Sequence, residues 1–221
     1  MEAASGALVI ACGALAREIA ALRRANDWSV LDVRCLPAEL HNRPERIPEA
    51  VRAAIHRYRH HYQALFVAYG DCGTGGRLDQ VLQEEGVERI VGAHCYEFFA
   101  SPSVFAALSE REPGTFYLTD FLLRNFDKLV TRGLGIDRHP ELAACYFGNY
   151  KRLVYLAQNE DPSQIAQAQA IAAAMSLQFD YRYTGYGVLA EHLATLVRAP
   201  QGSLASRALP MPRVAAASRV N

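Results

Sequence analysis

Short apolar runs alternate with amphipathic segments along most of this chain, and that alternation constrains its fold more than any other feature. ALVIA (7–11), WSVLDVRCL (28–36), ALFVAY (64–69) and VERIVGA (87–93) read as strands. Between them, GALAREIAALRRAN places Leu15, Ile19 and Leu22 at helical spacing. RIPEAVRAAIHRYRHHY carries Pro48 in its first turn, where proline costs no helical hydrogen bond, and GRLDQVLQEEG stops at Gly86. Strands of this kind, separated by helices and lacking strict in–out alternation, are buried on both faces of a parallel sheet. The expected fold is therefore α/β: a mainly parallel sheet with helices on both faces, a Rossmann-like open sandwich.

The second half continues in the same manner. SPSVFAALSER opens on a capping serine, GTFYLT reads as a strand, and DFLLRNFDKLVTRGLG as a helix beginning at the cap Thr119–Asp120. PELAACYFGNY is a short helix and KRLVYLAQ a strand. DPSQIAQAQAIAAAMSL is a helix capped by Asp161, QFDYRY a strand, and GVLAEHLATLV a closing helix. Residues 1–197 read as one α/β domain, with a division into βα halves 1–100 and 101–197 as the alternative. Residues 198–221 lack periodicity and are expected to form a flexible or extended tail.

Charge excludes some partners. Lys+Arg and Asp+Glu both number 23, so no basic surplus exists for nucleic acid or an anionic membrane. HRYRHHY (56–62) is read as a solvated helix face. No apolar run reaches the ~18–20 residues that span a bilayer, and Glu2 stands where a secretory signal would carry a basic residue. Five cysteines without a CxxC pair fit reduced thiols in a cytoplasmic protein.

Three of those thiols share a position. Cys12 follows the first strand, Cys72 the third, and His94–Cys95 the fourth. All fall at the carboxyl edge of a parallel sheet, where ligands bind beside a switch in strand order. Cys12, Cys72 and Cys95 are the candidate metal ligands. Three thiolates suit zinc with one open position, or an iron–sulfur cluster with one open iron; otherwise each thiol is a small apolar filler. Cys35 also follows a strand, whereas Cys145 falls in a helix.

Around these lie further candidates. GDCGTGG lacks the Lys-Ser/Thr of a phosphate loop, so nucleotide hydrolysis is not expected. Its Gly73, Thr74, Gly75 and Gly76 either approach a ligand through their amides or form a tight turn. His94 and Glu97 are candidate catalytic groups, with a helix start as the alternative for Glu97. Tyr186, within YRYTGYG, either walls a flat ligand or packs in a turn. Gln158 and Asn159 end a strand on the same edge, while His139 and His192 read as surface or packing residues.

ACGALARE, YGDCGTGGRLD, HCYEFFA, GTFYLTDFL, YFGNYKRLVYLAQ and TGYGVL, in that order, resemble an uncharacterised bacterial and archaeal family known as domain of unknown function 1638. The resemblance runs over roughly residues 7–196 and puts Cys12, Cys72, His94, Cys95 and Glu97 at motif positions. It implies a genomic context of corrinoid-dependent methyl transfer for some members. The expected function is a metal-dependent protein, with zinc activating a thiol or serving methyl transfer in one-carbon metabolism. Its substrate would be a small thiol or methylated compound, and its partner a corrinoid methyl-transfer protein. The alternatives are a non-catalytic accessory module and an iron–sulfur protein. No DxHxxG pattern is present, so a histidine-bound corrinoid is not expected.

Overall fold

The computed structural model describes residues 6–198. The chain begins with β1 (Ala7–Cys12), α1 (Ala16–Ala25), β2 (Leu31–Leu36), α2 (Ile47–Tyr58), β3 (Ala64–Ala68), α3 (Arg77–Glu85) and β4 (Glu88–Arg89). It continues with α4 (Pro102–Arg111), β5 (Thr115–Thr119), α5 (Asp120–Arg124), α6 (Leu142–Phe147), β6 (Arg152–Ala157), α7 (Pro162–Ala174), β7 (Gln178–Tyr183) and α8 (Gly187–Arg198).

The α/β reading holds, but the strands form two sheets. One has the order β2-β1-β3-β4 and the other β5-β6-β7, and every pairing is parallel. The expected fourth strand, 87–93, shrinks to two residues, Glu88 and Arg89. Both are charged, and Arg89 is drawn aside into a paired contact with Asp79 at 2.6 and 2.9 Å. The first sheet ends there.

Leu8, Val9 and Ile10 of β1 are fully buried, as are Leu153 through Ala157 of β6. Complete burial of consecutive strand residues requires cover on both faces, which the crossover helices supply. The single helix expected over 120–135 is broken. α5 stops at Arg124 because Asn125 turns its side-chain amide back onto the Phe121 carbonyl at 2.8 Å, and a π-helical turn follows over Asp127–Thr131.

The halves are not separate in space. Leu189 and Leu193 of α8 belong to the core of the first sheet, together with Leu8, Ile10 and Phe98. Glu18 on α1 pairs with Arg124 on α5 at 3.1 Å. The tail expected over 198–221 lies, apart from Arg198, outside the described residues.

Candidate functional site

The first sheet switches direction at β1. The chain crosses from β1 to β2 on one side, then returns past β1 to β3 on the other. A crevice opens at such a point beyond the carboxyl ends of the strands. Cys12 is the last residue of β1, and Cys72 lies four residues beyond β3.

Backbone contacts bring Cys95 to the same place. The segment 70–72 runs beside 92–95: Asp71 N–H donates to Gly92 O at 2.9 Å, and Cys72 N–H to Ala93 O at 2.7 Å. Gly70 is needed for this approach, because a Cβ there would stand 2.6–2.9 Å from the His94 and Cys95 backbone. Cys72 adopts φ +48°, a left-handed conformation uncommon for a side-chain-bearing residue. That turn points its sulfur inward. Cys72 Sγ and Cys95 Sγ are 3.2 Å apart.

Cys12 lines the same cavity, with its thiol near that of Cys95. All three thiols are free and buried. The Gly70 amide donates to Cys95 Sγ at 3.4 Å. Donors aimed at sulfur favour its anionic form. The neighbouring Cys95 thiol pulls the Cys12 thiol below its usual range against the opposing effect of burial. Cys72 falls to about 5: the Cys95 hydrogen bond leads, burial opposes, and His94 adds a second bond. Cys95 moves up, because it keeps the proton it shares with Cys12 and Cys72 and is itself buried. Tyr69, buried beside the sulfurs, is pushed up by burial and then by the neighbouring Cys12. Its buried hydroxyl has no hydrogen-bond partner.

The sulfurs form the floor of a cavity of about 300 Å³. The first sheet contributes Cys12, Cys72 and Cys95 together with His94 and Tyr96, and the second contributes Phe116, Tyr117 and Thr119 from β5. His94 stacks on Tyr96 with ring centres 4.7 Å apart, and Tyr96 on Tyr117 at 5.3 Å. Phe116, also at the cavity, meets Tyr150 edge-on at 5.7 Å. His41, exposed at the rim, comes from the 3-10 turn after β2.

The other sequence candidates fall around this centre. Gly73 lines the cavity. Gly75 and Gly76 donate their amides to Asp71, at 3.1 and 2.9 Å, and the Thr74 hydroxyl donates to the same carboxylate at 2.5 Å. Burial would raise Asp71, but these donors outweigh it and hold the carboxyl below its ordinary value. Glu97 accepts from the Ala93 and His94 amides at 2.7 and 3.4 Å, as a helix-start residue does. Tyr186 packs against the first sheet's core away from the cavity. Cys35 and Cys145 are exposed. Asp120 and Gln158 are buried in a structural network: Asp120 accepts from Tyr155 Oη at 2.7 Å, Gln158 N at 3.1 Å and Asn159 Nδ2 at 2.7 Å. His41 and Tyr117 were not singled out from sequence, and Tyr150, before the strand that ends at Gln158 and Asn159, was ranked below that pair. His41 had the same signal as the cysteines, a place just beyond a strand end; Tyr117 had none.

A tetrahedral zinc with Zn–S bonds of ~2.3 Å sets its sulfurs ~3.8 Å apart. The 3.2 Å contact between Cys72 and Cys95 is shorter, that of hydrogen-bonded thiols. Among the described residues, no group of three His, Cys, Asp or Glu side chains is arranged to hold a metal ion.

The family described as "Protein of unknown function (DUF1638)" matches residues 35–193, well over half of the chain. The chain belongs to this family. The matched region contains Cys72, His94 and Cys95, while Cys12 lies before it. No curated protein and no solved structure matches the chain.

Proposed function

We propose that this DUF1638 protein is a metal-dependent transferase in which Cys12, Cys72 and Cys95 hold a zinc ion and a substrate thiol takes the fourth position. The observation that carries this reading is the gathering of three buried thiols from three strand ends around one cavity, with the Cys72 and Cys95 sulfurs in contact and the Gly70 amide donating to Cys95 Sγ. The depressed Cys12 and Cys72 thiols suit a cation, since a ligating cysteine must lose its proton. Three thiolates donate much charge, which favours binding and deprotonating a thiol over activating water. Glu97, engaged with two amides, also supplies no free base for hydrolysis.

In the proposed reaction the substrate S–H releases its proton to solvent water, and its sulfur takes a methyl group from a donor that leaves with the C–donor electron pair. A methylated corrinoid on a partner protein fits the donor role. A whole corrin ring does not fit a cavity of about 300 Å³, so the donor would present its methyl group at the mouth. A reducing, cytoplasmic setting would keep the three thiols available.

The test is metal analysis of protein purified without oxygen, beside a triple Cys→Ser variant. About one equivalent of zinc in the natural protein and none in the variant is expected. Less than about half an equivalent of any metal, unaltered by the replacements, overturns the reading. A brown protein with visible absorption would replace zinc by an iron–sulfur cluster on the same residues.

A further inference from the structure

The walls of the cavity define the molecule that enters it. None of the residues lining it is Lys, Arg, Asp or Glu. Apart from His41, His94 and the sulfurs themselves, the lining offers no partner for a charged group, and burying an unpaired charge is costly. Its volume of about 300 Å³ lies at the low end of the ~300–1,000 Å³ of ligand pockets. That is room for one ring system with short substituents, not for a nucleotide.

The rings set the shape. His94, Tyr96 and Tyr117 form a column, with interplanar angles of 12° and 20° between successive rings. Phe105 backs this column, 5.0 Å from Tyr117. The preceding strand residue, Phe116, also lines the cavity and is fixed edge-on against Phe126, Phe147 and Tyr150. Both groups of rings are braced by their neighbours, so the slot is preorganised for a flat ring rather than for a flexible chain. The sulfur trio stands at its floor.

We infer that the substrate is a small, uncharged aromatic thiol. Its ring lies against the Tyr96–Tyr117 column and the Phe116–Tyr150 pair, and its sulfur faces Cys12, Cys72 and Cys95. The choice of a thiol rests on the metal reading above; the choice of a flat, uncharged ring rests on the walls alone.

The probe is phenylmethanethiol, with phenylacetate and benzyltrimethylammonium as charged counterparts of similar size. Binding to the full-length protein is measured by calorimetry under anaerobic conditions, and the metal content of each sample is read in parallel. Saturable binding of phenylmethanethiol, at least about tenfold tighter than either charged compound, is expected. Phe116→Ala should weaken it by about tenfold through loss of one ring face. Should that variant fail to fold, Ala14→Phe fills the cavity from the turn after β1 and should abolish binding. Absence of saturable binding, equal or tighter binding of a charged compound, or unchanged affinity in Ala14→Phe overturns the inference. Protein that lacks zinc yet binds phenylmethanethiol keeps the inference and overturns the metal reading. Zinc-loaded protein that ignores the probe does the reverse.

Discussion

The metal-free protein should carry a thiolate at Cys72 far below the pH at which ordinary cysteines ionise. Its thiol titrates at about 5, led by the hydrogen bond from Cys95 and aided by His94. At pH 6.5 a thiol of ordinary pKa near ~8.5 is about 1 % ionised, whereas Cys72 is about 97 % ionised, a gain of roughly 100-fold. The gain does not pass fully into rate. With a Brønsted slope of ~0.45, a drop of about 3.5 units makes the thiolate roughly 40-fold less nucleophilic. On ionisation and nucleophilicity alone, net alkylation at pH 6.5 should therefore be only about two- to threefold faster than for a thiol of ordinary pKa.

The midpoint of the pH–rate profile, not the speed, is the informative measurement. Iodoacetamide labelling of anaerobic, metal-free protein between pH 4 and 10, read peptide by peptide, should give Cys72 a midpoint near 5. Cys95→Ala removes the leading cause and should move that midpoint upward by more than a unit. A Cys72 midpoint near ~8.5 in the natural protein would refute the reasoning, as would no movement in Cys95→Ala. Stability follows the same linkage. The Cys72 pKa is depressed on folding, so its contribution is complete above the unfolded value near ~8.5 and is lost as pH falls through about 5. At pH 7 it amounts to about 2–3 kcal/mol.

Other perturbations have definite outcomes. Gly70→Ala places a methyl group against the His94 and Cys95 backbone and should part the two chain segments, lowering stability by roughly 2–4 kcal/mol in urea titrations and raising the Cys72 midpoint. Asp120→Ala leaves the buried Gln158 amide without an acceptor and takes one of two acceptors from Tyr155 Oη, and should cost about 1–3 kcal/mol, with Asp120→Asn costing less, as measured by calorimetry. Diamide, a thiol oxidant, should join Cys72 to Cys95 first, because their sulfurs already touch; peptide mapping should show that bridge and show that zinc prevents it. Burial raises the Glu18 carboxyl despite Arg124, so its folded-state pKa exceeds the unfolded one. Stability from this group is complete below the unfolded value and declines as pH rises through the folded one. Glu18→Gln should remove that decline from the pH dependence of the melting temperature.

Much of the candidate site was legible because the relevant signal was local. An apolar run followed at once by Cys12, or by Tyr69–Gly70–Asp71–Cys72, states which end of a parallel strand the thiol occupies. Two sheets were read from sequence only as an alternative division near residue 100, and the shortening of the fourth strand to Glu88–Arg89 has no trace in the VERIVGA pattern. The interruption after Arg124 was missed for a similar reason. Asn125 looks like any polar helix residue until its amide reaches Phe121 O. The glycine loop resembled a ligand cradle because the sequence does not show that Asp71 already receives its amides. Tyr117 and Tyr150 become wall residues only when the second sheet closes over the first, a contact with no local trace.

The return of α8 has a consequence for how the chain is made. Leu189 and Leu193 are fully buried in the core built by β1 and β3, and Gly187 fits against the Phe98 and Phe99 carbonyls where no larger residue could. During synthesis, the first hundred residues leave the ribosome with one side of that core uncovered. They wait for residue 198, about ten seconds or more behind at typical elongation rates. Until then the three thiols stand beside a partly open core, which closes only when the last described helix has been made.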